Sequence, residues 1–208
     1  MLRLGIAGIG AIAGDYIGLI VGGKVRDVAL TALCSRNEAH IREAAQRHGL
    51  QAAAFTDYGA MLKSGQVDAI LICTPHAQHP EMTRQALEAG LHVLVEKPVG
   101  IFADEVAEIL PVLAERPELV CGVMYNRRAA QAYRHVKNLV QSGELGELVR
   151  CSWIITNLYR TEAYYTSGAW RGTWQGEGGG LLMTQASHQL DLMQWICGMP
   201  VSVLARCS

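Results

Sequence analysis

Two stretches of this 208-residue sequence carry side chains able to hold an oxyanion and move a proton. In the first, Glu96-Lys97-Pro98 follows the apolar run His92-Val93-Leu94-Val95. A lysine ammonium has three donors and no acceptor, so Lys97 is equipped to hold a hydroxyl or a developing alkoxide. Pro98 biases Lys97 toward an extended conformation. In the second, Gly178-Gly179-Gly180 opens a run that reaches Asp191. Thr184, His188 and Asp191 are spaced i, i+4 and i+7, which places them on one face of a helix. His188 is a natural proton acceptor near neutral pH, with Thr184 or Asp191 expected to orient its ring. Together Lys97 and His188 suit removal of a hydroxyl proton beside a stabilised oxygen. Locally, two plainer readings stay open: a lysine paired with Glu96, and a helical histidine that only packs.

A third stretch supplies a cofactor. Gly8-Ile9-Gly10-Ala11-Ile12-Ala13 fits G-x-G-x-x-A, following a strand-like run and opening a helix. The first glycine allows the turn, the second lets a pyrophosphate approach the backbone, and the small third residue lets helix and strand pack. The helix N-terminus adds free N–H groups for phosphate oxygens. Gly8, Gly10, Ala11 and Ile12 are therefore expected to cradle a dinucleotide. The second strand ends in Cys34-Ser35-Arg36-Asn37, without the acid that usually holds the ribose hydroxyls of NAD. Ser35 and Arg36 suit a 2′-phosphate instead, so NADP is expected over NAD. The alternative is an Arg36 that is merely solvated.

These groups need a scaffold that brings strand ends together. Apolar strand-like runs at residues 2–7, 28–33, 68–72, 92–95 and 119–124 alternate with helical stretches at 11–21, 37–48, 57–63, 81–89 and 104–114. That pattern predicts an α/β fold, a doubly wound parallel sheet covered on both faces, over residues 1–122. Residues 123–208 read as a thinner, incomplete α+β domain with an open sheet. There, helices are expected at 129–140 and 181–196, strands at 147–156 and 201–205, and a loop over 157–177.

The loop region is rich in aromatics. Trp153, Tyr159, Tyr164, Tyr165, Trp170 and Trp174 fall within 22 residues, six of the chain's 13 aromatics, with Arg160 and Arg171 among them. Ring faces and arginine forks suit sugar rings with hydroxyl or carboxylate groups; a core or subunit interface has the same composition. His76 and His79 form H-x-x-H but have no evident third ligand, so no metal is expected. The six cysteines form no CxxC pair, and free thiols in a reducing cytoplasm are expected. Lys+Arg 18 against Asp+Glu 19 offers no basic field for nucleic acid or anionic membrane. No apolar stretch of about 20 residues free of glycine and charge reads as a membrane span.

In combination these motifs resemble the Gfo/Idh/MocA oxidoreductases, the glucose–fructose oxidoreductase and inositol dehydrogenase family. The matching features run in order: the Gly8 turn, Ile72-Cys73-Thr74-Pro75 with His79, residues 89–98 ending in Glu96-Lys97-Pro98, Tyr125-Asn126-Arg127-Arg128, and the Gly178 to Asp191 run. The resemblance implies hydride transfer between nicotinamide and a carbon of a sugar, polyol or sugar acid, with Lys97 and His188 as the catalytic pair. It places Thr74, Pro75, His79, Glu96, Lys97 and Asn126 along the cofactor, and Tyr125, Arg160, Trp170 and Arg171 with Lys97, Thr184 and His188 along the substrate. Thr184 departs from the aspartate of many members; it can hydrogen-bond but cannot ionise to support an imidazolium. The family pattern continues with further strands, so the resemblance also implies homo-oligomers through residues 145–156 and 201–206. A dinucleotide-binding relative without turnover is the alternative expectation.

Overall fold

The computed structural model describes residues 1–157 and 159–206; Cys207 lies outside them. Six strands form one wholly parallel sheet: β1 (Leu2–Ala7), β2 (Val28–Cys34), β3 (Ala53–Phe55), β4 (Ala69–Ile72), β5 (His92–Val95) and β6 (Cys121–Val123). Their order across the sheet is β3-β2-β1-β4-β5-β6. The connecting helices are α1 (Ala11–Val21), α2 (Glu38–His48), α3 (Tyr58–Leu62), α4 (His79–Glu88), α5 (Ala103–Ala107) and α6 (Ile109–Glu115). The expected doubly wound α/β sheet is therefore present. The three-residue β3 was not foreseen, because Ala53-Ala54-Phe55 is too short to show a period. The expected helix over 104–114 divides at Glu108 into α5 and α6.

Side-chain alternation builds a core on each face. Ile70 and Ile72 of β4 join Val93, Val95, Ala86, Leu87 and Ile109 on one side. Leu71 points the other way, to Ile6, Leu33, Ala13, Ile17, Ile41 and Ala44. All four β4 residues are buried, as expected for a central parallel strand. Local signals set the element ends. Asn37 Oδ1 accepts from the Ala39 N–H at 3.0 Å and Gly49 closes α2 in the left-handed conformation. Asp57 Oδ1 accepts from the Ala60 N–H at 2.6 Å and caps α3.

The second half begins with α7 (Gln131–Gln141), followed by α8 (Glu162–Thr166), α9 (Trp174–Glu177), α10 (Leu181–Thr184) and α11 (Ser187–Cys197). Here three expectations fail. The strands foreseen at 147–156 and 201–205 are not formed among the described residues. Alternating apolar residues make a strand only when a neighbour completes its ladder, and none does so here. The 157–177 region is not wholly loop, since it contains α8 and α9. The continuous helix expected over 181–196 breaks at Gln185–Ala186 into α10 and α11, so Thr184 and His188 stand on different helices.

The chain exposes 13161 Å², well above the roughly 9,500 Å² of a compact monomer of its mass. Val149, Ile154, Val201, Val203 and Leu204 are among the exposed apolar residues. The anchored part of this half is the pair α7–α11. Arg128 forks onto Asp191, with Nε 2.8 Å from Oδ2, and the Asp191 side chain is only 8% exposed. Lys137 Nζ lies 4.0 Å from the Trp195 ring centre, a cation–π contact.

Two measurements follow from this packing. A Cβ on Gly8, whose φ is +89°, would stand 2.7 Å from the backbone of Cys73 and Thr74, whereas one on Gly10 would meet nothing within 4 Å. In urea denaturation, Gly8→Ala should cost about 2 kcal/mol or more, and Gly10→Ala less than about 0.5 kcal/mol. Asp191→Asn should cost about 1–2 kcal/mol by loss of the charged fork, and adding Arg128→Gln should cost little more, because the two residues act as one pair.

Candidate functional site

In a parallel sheet every strand delivers its carboxyl end to the same edge. Between β1 and β4 the chain's winding reverses, and the loops after these strands part to leave a crevice. Gly8 presses against the Cys73–Thr74 backbone at this point, tying the first turn to the end of β4. Gly10 caps α1 with open space where a side chain would stand, and Ala11 and Ile12 are exposed beside it. The free N–H groups of the first α1 turn thus face an unobstructed surface, which fits a pyrophosphate. At the end of β2, Ser35 Oγ accepts from the Asn37 N–H at 3.3 Å. Arg36 is exposed and has no hydrogen bond or ion pair among the described residues.

After β4, Thr74 and Pro75 lead into a short 3-10 turn, His76–Gln78. His79 is fully buried, with Nε2 2.8 Å from the Thr74 carbonyl oxygen and Nδ1 2.7 Å from that of Pro98. This ring joins the loops that follow β4 and β5. Both carbonyls favour a second ring proton, yet burial outweighs them and holds His79 below the usual histidine range. A neutral ring carries one N–H, so His79 donates to one of these carbonyls while its other nitrogen only faces the second.

At the end of β5, Glu96 is held on both oxygens. Oε1 accepts from the Tyr16 hydroxyl of α1, and Oε2 accepts from the Lys97 N–H at 3.1 Å. Lys97 does not pair with Glu96 through its ammonium. Its Nζ donates to the Thr184 carbonyl oxygen at 2.8 Å, across 87 positions of sequence. Burial lowers the Lys97 pKa, opposed by Glu96 and Glu177 and assisted by the Arg160 charge. Lys97 and the α10–α11 break are thereby brought together, as the sequence spacing could not show.

His188 sits at the start of α11, its ring edge-on to Tyr125 with centroids 5.9 Å apart. Burial, then the positive charges of Lys97 and Arg127, push its pKa down to about 4. Its Nδ1 is buried without a partner among the described residues. Neither expected orienting group serves it: Thr184 Oγ1 turns back to the Gly180 carbonyl at 3.3 Å, and Asp191 is taken by Arg128. The helix break explains the first, since an i, i+4 relation holds only along an unbroken helix, and the Arg128 fork explains the second. Asn126 is exposed, without a side-chain hydrogen bond among the described residues.

The aromatic segment divides. Tyr159 and Trp174 are exposed, whereas Tyr164 and Trp170 pack inward. Tyr164 Oη receives hydrogen bonds from Arg171 at 2.6 Å and from Gln185 Nε2 at 3.1 Å. Trp170 meets the His76 ring edge-on at 5.0 Å. Glu177 is buried, and its Oε2 accepts from the Gly172 N–H at 2.9 Å. Gly178 lets this turn close on Ile101, where a Cβ would clash at 2.3 Å. Tyr16, Gln185 and Glu177 were not foreseen as site residues. Their partners lie far away in sequence or on a turn, and no spacing rule connects them.

Residues 2–126 match the family model described as "Oxidoreductase family, NAD-binding Rossmann fold", and residues 133–208 match "GFO/IDH/MocA C-terminal domain". An uncharacterized oxidoreductase of Synechocystis, sll0816, is 31% identical over 85% of this chain and 47% of its own length. The inositol 2-dehydrogenase of Corynebacterium glutamicum is 29% identical over 95% of this chain and 54% of its own. Among solved structures, the WlbA dehydrogenase from Bordetella pertussis in complex with NADH and UDP-GlcNAcA superposes with a TM-score of 0.80 at 28% identity, covering 95% of this chain and 59% of that one. The chain spans about half the length of the curated relatives it matches. With both family models matched in order, the chain belongs to the GFO/IDH/MocA oxidoreductase family.

Proposed function

We propose that the chain is the cofactor-binding and catalytic part of an NAD(P)-dependent oxidoreductase acting on a hydroxyl of a sugar, polyol or sugar acid. The observation that carries this reading is the Lys97–Thr184 bridge, which sets an ammonium beside a neutral histidine at the carboxyl edge of the sheet. The relatives support it, among them an inositol dehydrogenase and a dehydrogenase bound to NADH and UDP-GlcNAcA. In this reading residues 1–122 hold the dinucleotide through Gly8, Gly10, Ala11, Ile12, Thr74, Pro75, His79 and Glu96, and Asn126 adds to the cofactor side from just beyond them. Residues 123–208 supply the substrate side, with Tyr125, Arg160, Trp170, Arg171, Thr184 and His188. The bound nicotinamide supplies the hydride acceptor. Lys97 holds the substrate oxygen and stabilises it as the O–H bond opens. His188, neutral at pH 7, takes the hydroxyl proton on its ring. Thr184 positions Lys97 through its carbonyl, a role that needs no ionisable side chain.

For the cofactor, the open Arg36 and the lack of an acid after β2 favour NADP over NAD. The free thiols Cys34, Cys73, Cys121, Cys151 and Cys197 favour the cytoplasm. The exposed apolar residues of 145–156 and 201–206 favour self-association, which a concentration-dependent solution mass would report; a strictly monomeric mass at high concentration counts against it.

Titration with NADPH and NADH, read by tryptophan quenching, tests the first step. Ser35→Asp with Arg36→Ala should weaken NADPH more than NADH; equal losses refute the NADP preference. Lys97→Met and His188→Gln should each lower kcat by about 100-fold or more while leaving NADH binding in place. Binding without any turnover across a polyol and sugar-acid screen would favour the non-catalytic reading. Because the folded pKa of His188 lies near 4, below its ordinary 6.5, the neutral base persists as the pH falls through 6.5. Its limb of the oxidation profile should therefore appear toward pH 4. Folding stability follows the same sign: it is full above about pH 6.5 and is lost as the pH falls toward 4 and the unfolded chain takes up protons that the buried His76 and His188 refuse. His76→Gln should flatten that slope in pH-dependent urea melts.

A further inference from the structure

Both Arg160 and Arg171 lie over one ring. The Arg160 guanidinium carbon is 5.1 Å from the centre of Tyr164, and that of Arg171 is 4.3 Å away. Arg171 also lies 4.6 Å from the Trp170 ring centre and donates to Tyr164 Oη at 2.6 Å. Arg160 donates only to the neighbouring Tyr159 carbonyl, at 3.2 Å. Neither forms an ion pair among the described residues, where Arg3, Arg84 and Arg128 all do.

The tyrosine beneath them is tied to the Lys97 bridge. Gln185 donates to Tyr164 Oη, and Gln185 directly follows Thr184, whose carbonyl holds Lys97 Nζ. None of the nearby carboxylates pairs with either arginine among the described residues. Glu96 serves Tyr16 and the Lys97 N–H, and Asp191 serves Arg128. Glu177 gives Oε2 to Gly172, while its Oε1 is buried without a partner; Glu162, two residues from Arg160, makes no ion pair among the described residues. Arg160 and Arg171 thus stand without a carboxylate partner among the described residues, one residue contact away from the stretch of chain that holds Lys97. The aromatic contacts restrain both guanidinium groups, and each spends only Nη1 on the protein, which leaves Nε and Nη2 for a ligand. An edge fork of this kind matches a carboxylate on two oxygens.

We propose that Arg160 and Arg171, ordered on Tyr164, form an anion subsite that selects substrates bearing a carboxylate, so that the preferred substrate is a sugar acid and not a neutral polyol. The proposal rests on the reading of Lys97 and His188 as the reacting centre: the arginines hold the acid group while Lys97 holds the hydroxyl.

The test is calorimetric titration of the NADH-saturated chain with D-glucuronate, D-glucose and D-glucose 6-phosphate. Glucuronate should bind at least about tenfold more tightly than glucose, as one charge-assisted fork provides, and its affinity should fall with added salt. Arg171→Gln and Arg160→Gln should each remove most of that preference, and Arg171→Lys should restore only part of it. Equal affinity for glucuronate and glucose, or binding of neither, overturns the subsite. A preference for glucose 6-phosphate over glucuronate overturns the carboxylate assignment. NADH binding on the same samples separates the two claims. If it is intact, only the subsite falls; if wild type does not bind NADH, the oxidoreductase reading falls with it.

Discussion

The hydrogen bond from Lys97 Nζ to the Thr184 carbonyl oxygen is the interaction on which the rest of the site depends. It joins the end of β5 to the start of the last helical pair, two regions 87 residues apart. A half-buried ammonium needs an acceptor, and a backbone carbonyl left open by a helix break provides one without adding a second charge. The break at Gln185–Ala186 is therefore functional geometry. It frees the Thr184 carbonyl, turns His188 onto a new helix, and sends Gln185 toward Tyr164.

Around that bridge the loops after the strands are fastened in turn. Gly8 locks the first turn to the end of β4, and Tyr16 fastens Glu96, which in turn holds the Lys97 amide. The buried His79 ring lies between the Thr74 and Pro98 carbonyls and donates to one of them. The Tyr16, Glu96 and His79 contacts are polar and partly or fully buried, and such satisfied buried groups specify position. The hydrophobic sheet fixes where the strands end; these few polar links fix where the side chains after them point.

Burial dominates the electrostatics, with the nearby carboxylates acting against it. Burial depresses His76, His79, Lys97 and His188 alike, and the clustered cations press His188 further down. A neutral histidine beside an ammonium is the protonation pattern that alcohol oxidation requires: one group ready to accept a proton, the other ready to support an oxyanion. The same excess of positive charge would attract an acidic substrate, linking the chemistry of the reacting centre to its selectivity.

Taken alone, the sequence determined the parallel sheet and marked the Gly8 turn, Lys97 and His188 as candidates. These rest on short-range rules: apolar runs make buried strands, Gly8 needs a positive φ against the next strand, and Asn37 and Asp57 cap their helices. What tertiary structure decided was partnership. The spacing of Thr184, His188 and Asp191 implied a shared helix face, but the break separated the first two and Arg128 captured the third. The apolar stretches at 147–156 and 201–205 read as strands, yet a strand exists only with a hydrogen-bonded neighbour, and among the described residues none is there. Periodicity reports which side of an element is apolar. It carries no information about the distant group that completes a hydrogen bond, which is why Tyr16, Glu177 and Gln185 became visible only in the folded chain.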